Sequence, residues 1–215
     1  MAIDILDNVT YVGSPYYSSR DGYKPEAVVW HIMDGTLEGC DQWFNNNPYG
    51  VSAHFGIGKD GTIHQYVYLT NAAHANGKIE TWQLKLIKDN GYDNPNSWTF
   101  SIEFEGMSGD SPTTAQKVAG IKLTAWLFKE CIIGNGASGV TIDRDHILRH
   151  SDISPVSREF CPGWSTKDFD EMVEGVKVAI NSGTVTSPTV IKTYEQGYND
   201  ALTDIRKVIN EIQFK

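Results

Sequence analysis

Three residues that lie far apart in the sequence carry side chains able to bind one metal ion: His31, His150 and Cys161. Two imidazoles and a thiolate suit Zn²⁺. Three protein ligands also leave a fourth position open for water, which distinguishes a catalytic zinc site from a structural one. If these side chains meet in the fold, the sequence therefore predicts a zinc hydrolase.

The elements around these residues decide whether they can meet. His31 ends the apolar run at 27–30, and His150 ends a second apolar run at 147–149. Both runs are typical of buried strands. Cys161 lies in a turn that is rich in proline and glycine. We therefore expect two strand ends and one rigid turn to supply the three ligands.

The remaining histidines are weaker candidates, because a single histidine is more often a hydrogen-bonded structural residue than a ligand. His146 lies four residues before His150, a spacing that pairs ligands on a helix. In a strand the same spacing separates the two rings by about 13 Å. We therefore exclude His146 and His150 as a joint metal site.

Composition limits the class of protein. The chain has 215 residues, of which 40% are hydrophobic and 11% aromatic, as in a globular protein with one core and a small appendage. The net charge of −9 disfavours duplex nucleic acid as a partner. The three cysteines, an odd number at wide spacing, predict no disulfide framework and favour a reducing compartment.

Membrane insertion and secretion signals are not expected. The sequence contains no run of about 18 apolar residues that could span a membrane. The first residues also lack a basic segment followed by an apolar core, so no signal peptide is predicted.

Strand-like and helix-like segments alternate along the chain, which predicts an α/β fold with a mixed central sheet flanked by helices. A long surface loop with one helical turn is expected at 70–97. The predicted strands are 26–32, a hairpin of 52–57 and 62–67, and 99–105, and residues 146–153 are predicted to form a strand and its exit. The predicted helices are 37–44, 113–131 and 166–181.

We expect a catalytic domain over residues 1–183, a linker over 184–192 and a C-terminal amphipathic helix over 193–215. Apolar residues of this tail alternate at spacings of four and three: Tyr198, Leu202, Ile205, Ile209 and Ile212. This apolar stripe is only slightly longer than two heptads, and a helix of that length has marginal stability in isolation. It therefore predicts docking onto the domain, a wall-targeting element or a homodimer.

Five segments carry a recognisable pattern in order along the chain. They are Val28-Val29-Trp30-His31; Val51-Ser52-Ala53-His54-Phe55 with Lys59-Asp60-Gly61-Thr62-Ile63; Ala72-Ala73-His74-Ala75; Ser101-Ile102-Glu103-Phe104-Glu105-Gly106; and Arg149-His150-Ser151-Asp152-Ile153-Ser154-Pro155 with Cys161-Pro162-Gly163. Over about residues 25–182 the chain resembles the type-2 N-acetylmuramoyl-L-alanine amidases, a zinc family that includes phage endolysins, recycling amidases and peptidoglycan-recognition proteins. The order and spacing carry the resemblance, since no single motif is decisive.

The resemblance implies His31, His150 and Cys161 as ligands of Zn²⁺ and peptidoglycan as the substrate. It implies hydrolysis of the amide between the lactyl group of N-acetylmuramic acid and L-alanine. Zinc suits this reaction because it polarises the carbonyl and lowers the pKa of bound water to about 7.

Glu103 is the predicted general base, because it matches the catalytic glutamate of the family. Glu105 lies on the same face of the predicted strand, so the alternation alone does not choose between them. Some phage relatives use a tyrosine just before the hairpin histidine, but this chain has Ala53 there.

The chain departs from the family two residues before the last ligand, where Glu159 replaces a lysine that stabilises the oxyanion. Arg158 is the nearest cation and the candidate for this role. His54 and His74 are candidates for binding sugar or peptide, with structural hydrogen bonding as the alternative for each. Three tryptophans could either stack on the substrate or lie in the core, and the sequence does not decide between these roles: Trp82, Trp98 and Trp164.

The predicted function is a phage-type endolysin that is made in the host bacterial cytoplasm and acts at the cell wall after release. One alternative is a cytoplasmic amidase that recycles muropeptides. Another is a peptidoglycan-binding module without catalysis, which the presence of Cys161 disfavours and Glu159 keeps open. A secreted immune recognition protein is disfavoured by the missing signal and disulfide pairs.

Overall fold

The fold is built on a six-stranded sheet with a separate pair of strands beside it. The computed structural model describes residues 6, 9–91, 93–134, 136, 139–183 and 185. The strands are β1 Thr10–Tyr11, β2 Tyr17–Ser19, β3 Ala27–Ile32, β4 Phe55–Ile57, β5 Ile63–Gln65, β6 Asn71–Ala73, β7 Thr99–Phe104 and β8 Ile147–Arg149. The predicted C-terminal helix and the linker lie outside the described residues, apart from position 185.

The large sheet has the strand order β1-β5-β4-β7-β3-β8, and β2 pairs with β6 in the small sheet. Neighbours in the large sheet are parallel except for the hairpin of β4 and β5. The sheet is therefore mixed, and the predicted fold class is confirmed. The predicted hairpin is also present, with strands shorter than expected.

The helices are α1 Leu37–Asn45, α2 Lys85–Asp89, α3 Pro95–Trp98, α4 Thr114–Trp126, α5 His150–Ile153 and α6 Thr166–Asn181. The predicted capping box begins α4, since Thr113 and Gln116 satisfy each other's backbone N–H groups. This helix continues as a π-helical segment, Leu127–Ile133. The helices predicted at 37–44, 113–131 and 166–181 are thus confirmed.

The two central strands divide their residues between two faces. Val28, Trp30 and Ile32 of β3 belong to the main core, which includes buried residues of α4 and α6. Alternate residues of a strand point to opposite faces, so His31 faces away from α4 and α6. Glu103 lies beside His31 in the parallel register of β3 and β7. The same alternation therefore places both polar side chains on one face.

One expectation for local structure was wrong. Residues 70–97 are not a loop with a single helical turn, because β6, α2 and α3 lie within them. These elements are three to five residues long, too short to show a periodic pattern. The strand expected within 146–153 is present as β8, and the chain leaves it at His150, which begins α5 because the Asp152 carboxylate accepts the Arg149 N–H at 2.8 Å.

Two of the three tryptophans considered for stacking lie in the core. Trp98 and Trp164 are buried, whereas Trp82 is 55% exposed. Core packing thus accounts for Trp98 and Trp164, the alternative that the sequence left open. Among the described residues, the model contains no helix with both the length and the apolar character that a membrane span needs.

Candidate metal centre and active site

The structure brings the three predicted ligands together. The Nδ1 atoms of His31 and His150 lie 3.0 Å apart, and the Cys161 Sγ lies 3.9 Å from the His31 Nδ1. The three ligand atoms all lie within 4.8 Å of one another. Residues separated by up to 130 positions therefore form one compact group of donors.

Neighbouring parallel strands explain this convergence. His31 lies near the carboxyl end of β3, and His150 follows directly after β8, which pairs with β3. The carboxyl ends of parallel strands meet at one edge of a sheet, where α/β folds form their sites. Cys161 is held against this edge because its Sγ accepts the Ile32 N–H at 3.5 Å and its carbonyl accepts the Ser151 N–H at 3.0 Å.

The donor spacing fits a zinc ion. Tetrahedral zinc with bonds of about 2.0–2.1 Å to nitrogen and 2.3 Å to sulfur places its donors about 3.3–3.7 Å apart. The observed separations of 3.0 and 3.9 Å lie on either side of that range. The His150 Nε2 lies 3.1 Å from the Asn76 carbonyl and can only donate to it. The Nδ1 of His150 is therefore left with a lone pair that faces the other two ligands.

Burial keeps both imidazoles neutral, which is the form that binds metal. It lowers the pKa of His31 well below its usual value, with the neighbouring His150 adding to the effect. Burial also lowers the pKa of His150 to about 4. The Cys161 thiol has a raised pKa, mainly from burial and then from Glu103. A divalent cation would counter that cost, because it stabilises the thiolate directly.

Glu103 lies beside the ligands. One carboxylate oxygen is 3.9 Å from the His31 Nδ1, and the side chain is 14% exposed. The other oxygen has no hydrogen-bond partner among the described residues. Burial and then the nearby Asp34 raise the pKa of Glu103 to about 8. The carboxylate is therefore poised to exchange a proton with a group at the site.

The competing carboxylate, Glu105, is engaged elsewhere. Its side chain accepts the backbone N–H of Lys59 at 2.9 Å, in the turn of the hairpin. The strand alternation left both glutamates open, and the contacts now distinguish them. Glu103 is the one that lies against a predicted ligand.

The region that contains this site matches a known protein family. The Amidase_2 family, described as N-acetylmuramoyl-L-alanine amidase, matches residues 21–164. The match spans more than half of the chain and includes the three predicted ligands and Glu103. The chain belongs to this family.

Individual proteins are similar to this chain in sequence or in fold. N-acetylmuramoyl-L-alanine amidase A of Achromobacter lyticus is 31% identical over 111 residues, which are 51% of this chain and 54% of that protein. The chain thus spans about half the length of that relative. A crystal structure of a selenomethionine AmpD derivative has a TM-score of 0.59 at 24% identity, covering 80% of this chain and 99% of that one. A mutant endolysin from Bacillus subtilis has a TM-score of 0.53 at 17% identity, covering 79% and 98%.

Arg158 supplies a positive charge that acts on this amidase-family site. It is exposed, and its charge lowers the pKa of both Glu103 and Cys161. Its carbonyl accepts the Cys161 N–H at 3.0 Å, so the two residues share one turn. Glu80 anchors this turn by accepting two backbone N–H groups just before Arg158, at 2.8 and 2.9 Å. Glu159 is exposed.

The two histidines predicted to bind substrate occupy different environments. His54 is buried, with its Nδ1 beside Ser101 and its Nε2 at 3.1 Å from the Asn71 carbonyl and 3.0 Å from Arg20. Hydrogen bonds within the protein thus account for His54. His74 is half-buried, and its Nδ1 lies 2.9 Å from a backbone carbonyl. Substrate contact by either residue stays a prediction.

The other histidines lie outside the ligand group. His146 is adjacent to Asp143, and His64 lies 2.9 Å from Asp41. Within the part of the chain that the structure describes, the metal-binding group contains His150 without His146. The structure thus groups His150 with His31 and Cys161, and the exclusion of His146 and His150 as a joint site stays a prediction.

Two residues of the site were missed in the sequence. Asn76 contacts His150 through its carbonyl, and Asp34 raises the pKa of Glu103. Asn76 lies two residues after His74, in a segment without periodic pattern, so nothing marked it. Asp34 has positive φ, 49°, a backbone conformation that favours Asn and Asp among non-glycine residues. Its position after the strand that carries His31 was the available signal.

Proposed function

We propose that this chain is a zinc-dependent N-acetylmuramoyl-L-alanine amidase. It cleaves the amide between the lactyl group of N-acetylmuramic acid and L-alanine in peptidoglycan. The observation that carries this proposal is the buried group of His31, His150 and Cys161 with Glu103 beside it, inside a region that matches the family. The complete ligand set favours an enzyme over a binding module.

Each side chain has a defined task in this proposal. His31, His150 and Cys161 would hold the zinc ion, which supplies Lewis acidity for the carbonyl, activates water and favours the ionised form of its neighbours. Glu103 accepts the proton of the attacking water and returns it to the departing amine of L-alanine. One of its oxygens has no hydrogen-bond partner among the described residues and is available for this transfer.

Arg158 is the proposed stabiliser of the oxyanion. Its guanidinium is exposed, and its charge reaches the site, since it opposes the rise in the pKa of Glu103 that burial and Asp34 cause. Donors aimed at developing negative charge can lower an acyl-transfer barrier strongly. Glu80 anchors the turn that carries Arg158, and this fixes the backbone position from which the guanidinium extends.

The test of this activity is the identity of the products. Purified protein is incubated with peptidoglycan, and the fragments are analysed by mass spectrometry and by labelling of amino groups. We expect stem peptides with a free N-terminal L-alanine and glycan chains with a free lactyl carboxylate. Products cut within the peptide or the glycan would contradict the proposal.

The finer proposal is an endolysin that acts on the intact wall, with a recycling amidase as the rival. The fold is shared both with an endolysin from Bacillus subtilis and with the AmpD derivative, so similarity of fold does not separate the two roles. The size of the preferred substrate does separate these two roles. Faster release of L-alanine termini from intact sacculi than from soluble muropeptides supports the endolysin, and the reverse preference supports the rival.

A further inference from the structure

A buried asparagine connects the two histidines of the candidate metal centre. Asn76 is fully buried, between β6 and α2. Its backbone carbonyl lies 3.1 Å from the Nε2 of His150. Its side chain lies near enough to His31 to raise the pKa of that imidazole, against the larger effect of burial, although no hydrogen bond of ordinary length joins the two side chains. One residue therefore reaches both imidazoles on the side away from the predicted metal.

Two buried polar atoms without hydrogen-bond partners lie on the side chains of His31 and Asn76. The Nε2 of His31 and the Oδ1 of Asn76 are both buried, and neither has a hydrogen-bond partner at ordinary distance among the described residues. An N–H donor and a carbonyl acceptor left unpaired in the interior each carry a desolvation cost. A small movement of either side chain that forms a hydrogen bond between these two atoms would give both of them a partner.

The orientation of the Asn76 amide is fixed by a third residue. The Thr99 hydroxyl donates to the Pro95 carbonyl at 2.7 Å, so towards Asn76 it can only accept. The Asn76 Nδ2 lies 2.7 Å from that hydroxyl and is its donor. The Oδ1 is therefore the atom left free to accept the Nε2–H of His31.

The backbone at Asn76 is also held in place. The side-chain oxygen of Asn96, in α3, accepts the N–H groups of Ala75 at 3.1 Å and Asn76 at 2.8 Å. Asn96 is itself buried. The carbonyl that faces His150 therefore sits on a braced segment and not on a free loop.

We propose that Asn76 is a positioning residue that orients both zinc histidines. Its carbonyl accepts the Nε2–H of His150, and its Oδ1 accepts the Nε2–H of His31. With both hydrogens on Nε2, both Nδ1 lone pairs face the metal, because neutral imidazole carries only one N–H. This inference rests on the proposed function, since it presumes that the centre binds zinc.

The test compares zinc affinity between variants, by competition with a chromophoric chelator. Asn76→Ala removes the contact to His31 and the link to Thr99, and we expect zinc to bind about 10–100-fold more weakly. Asn76→Asp keeps an acceptor for His31, while the Thr99 hydroxyl can turn to donate to the new carboxylate. We expect this variant to recover most of the affinity.

A matched control is another buried asparagine, Asn47. Its side chain makes four hydrogen bonds to backbone groups, at 2.8–3.1 Å, and none of them involves a predicted ligand. Asn47→Ala should lower the melting temperature and leave zinc affinity within about threefold of wild type. This control separates loss of positioning from loss of stability.

Three outcomes decide the inference. Asn76→Ala that folds and binds zinc as tightly as wild type overturns it. If Asn76→Ala does not fold, the Nε2–H of His31 in zinc-loaded wild-type protein is examined by NMR, and rapid exchange with water overturns it while protection supports it. Wild-type protein that takes up no zinc overturns the proposed function and this inference with it. Wild-type protein that binds zinc but does not cleave peptidoglycan overturns the function alone.

Discussion

At the scale of single residues, Cys161 is the proposed sulfur ligand of the candidate metal centre. Its sulfur accepts a backbone N–H from Ile32 and lies 3.9 Å from the His31 Nδ1. Burial in this position raises the pKa of the free thiol. Since only the thiolate binds a metal, the residue gains its ligand form chiefly in the company of a cation.

Replacement of Cys161 by alanine should therefore abolish zinc binding. Two imidazoles remain, too few to hold the ion as the complete set does. The measurement is zinc content after dialysis, by atomic absorption, together with amidase activity. Cys131→Ala is the control, because Cys131 is buried in the main core and away from the ligand group. Stoichiometric zinc in Cys161→Ala would contradict the assignment.

Replacement of Glu103 by glutamine should separate metal binding from catalysis. The amide keeps the shape of the side chain but cannot accept a proton, so kcat should fall by about 10²–10⁴-fold while zinc content is unchanged. The measurement is the rate of alanine release at saturating substrate. Glu105→Gln serves as the control and should retain a near-normal rate. A near-normal rate in Glu103→Gln would move the base elsewhere.

The sequence predicted that His31, His150, Cys161 and Glu103 lie together, as the structure shows, because each lies in a motif that combines a reactive side chain with a strand or turn. It did not locate Asn76, since an asparagine in a loop acts through its backbone and through distant partners. Contacts of that kind depend on which segments the fold brings together. They become visible only when the side chains are placed.

At the scale of elements, close packing of α4 on the sheet depends on Gly120. A Cβ at this position would lie 2.7 Å from the ring of Phe104 and 3.0 Å from the side chain of Met172. Both neighbours are fully buried, so neither can move away cheaply. The glycine is thus required by the approach of helix and strand.

Replacement of Gly120 by alanine should lower the free energy of unfolding by about 1–3 kcal/mol, because overpacking outweighs the better helix propensity of alanine. Urea denaturation gives the value. Gly39→Ala in α1 is the control, since its Cβ would meet only the Thr36 side chain, at 3.2 Å. Equal stability of Gly120→Ala and wild type would show that α4 can shift without cost.

The contact between α4 and α6 includes an ion pair whose contribution depends on pH. The Asp168 carboxylate lies 2.5 Å from the Lys117 Nζ and accepts the Ser165 hydroxyl at 2.7 Å. The hydrogen bond from Lys117 is the main reason that the pKa of Asp168 is below its usual value. The pair therefore stabilises the folded protein above the unfolded pKa of about 3.9, and this is lost as pH falls through the folded pKa.

Asp168→Asn should thus lower stability by about 1 kcal/mol at pH 7 and by much less near pH 3. Thermal unfolding of both proteins across this pH range measures the difference. Asp170→Asn is the control, because Asp170 is exposed and lies at 3.3 Å from one arginine. A difference that persists unchanged in acid would show that the charge of Asp168 is not its cause.

Elements with a long periodic pattern were predictable from sequence, and short ones were not. The helices α4 and α6 show a capping signal and an apolar stripe, and the central strands β3 and β7 are apolar runs. The elements inside 70–97 depend instead on distant partners. For example, β6 exists as a strand through its antiparallel pairing with β2.

At the scale of the whole molecule, the two faces of the central sheet have different roles, one in packing and one at the candidate site. One face of β3 and β7 packs against the helical layer through large apolar side chains, and the other face presents His31 and Glu103. The sequence predicted the mixed sheet from alternating strands and helices, but not the strand order. That order is decisive, because placing β8 next to β3 is what brings His150 to His31.

The homodimer expected from the C-terminal apolar stripe stays a prediction of the sequence. Size-exclusion chromatography with light scattering on the full chain and on a chain ending at residue 183 tests it. We expect a dimer for the full chain and a monomer for the shortened one. If the measured mass of each protein equals that of its monomer, the prediction of a dimer is wrong.

The most direct test of the central claim is a titration of metal-free protein with zinc, during which release of alanine amino groups from peptidoglycan is followed. If His31, His150 and Cys161 hold one catalytic ion, activity is absent in the metal-free protein, rises in proportion to added zinc and saturates at about one equivalent per chain. Full activity in the metal-free protein would contradict the account.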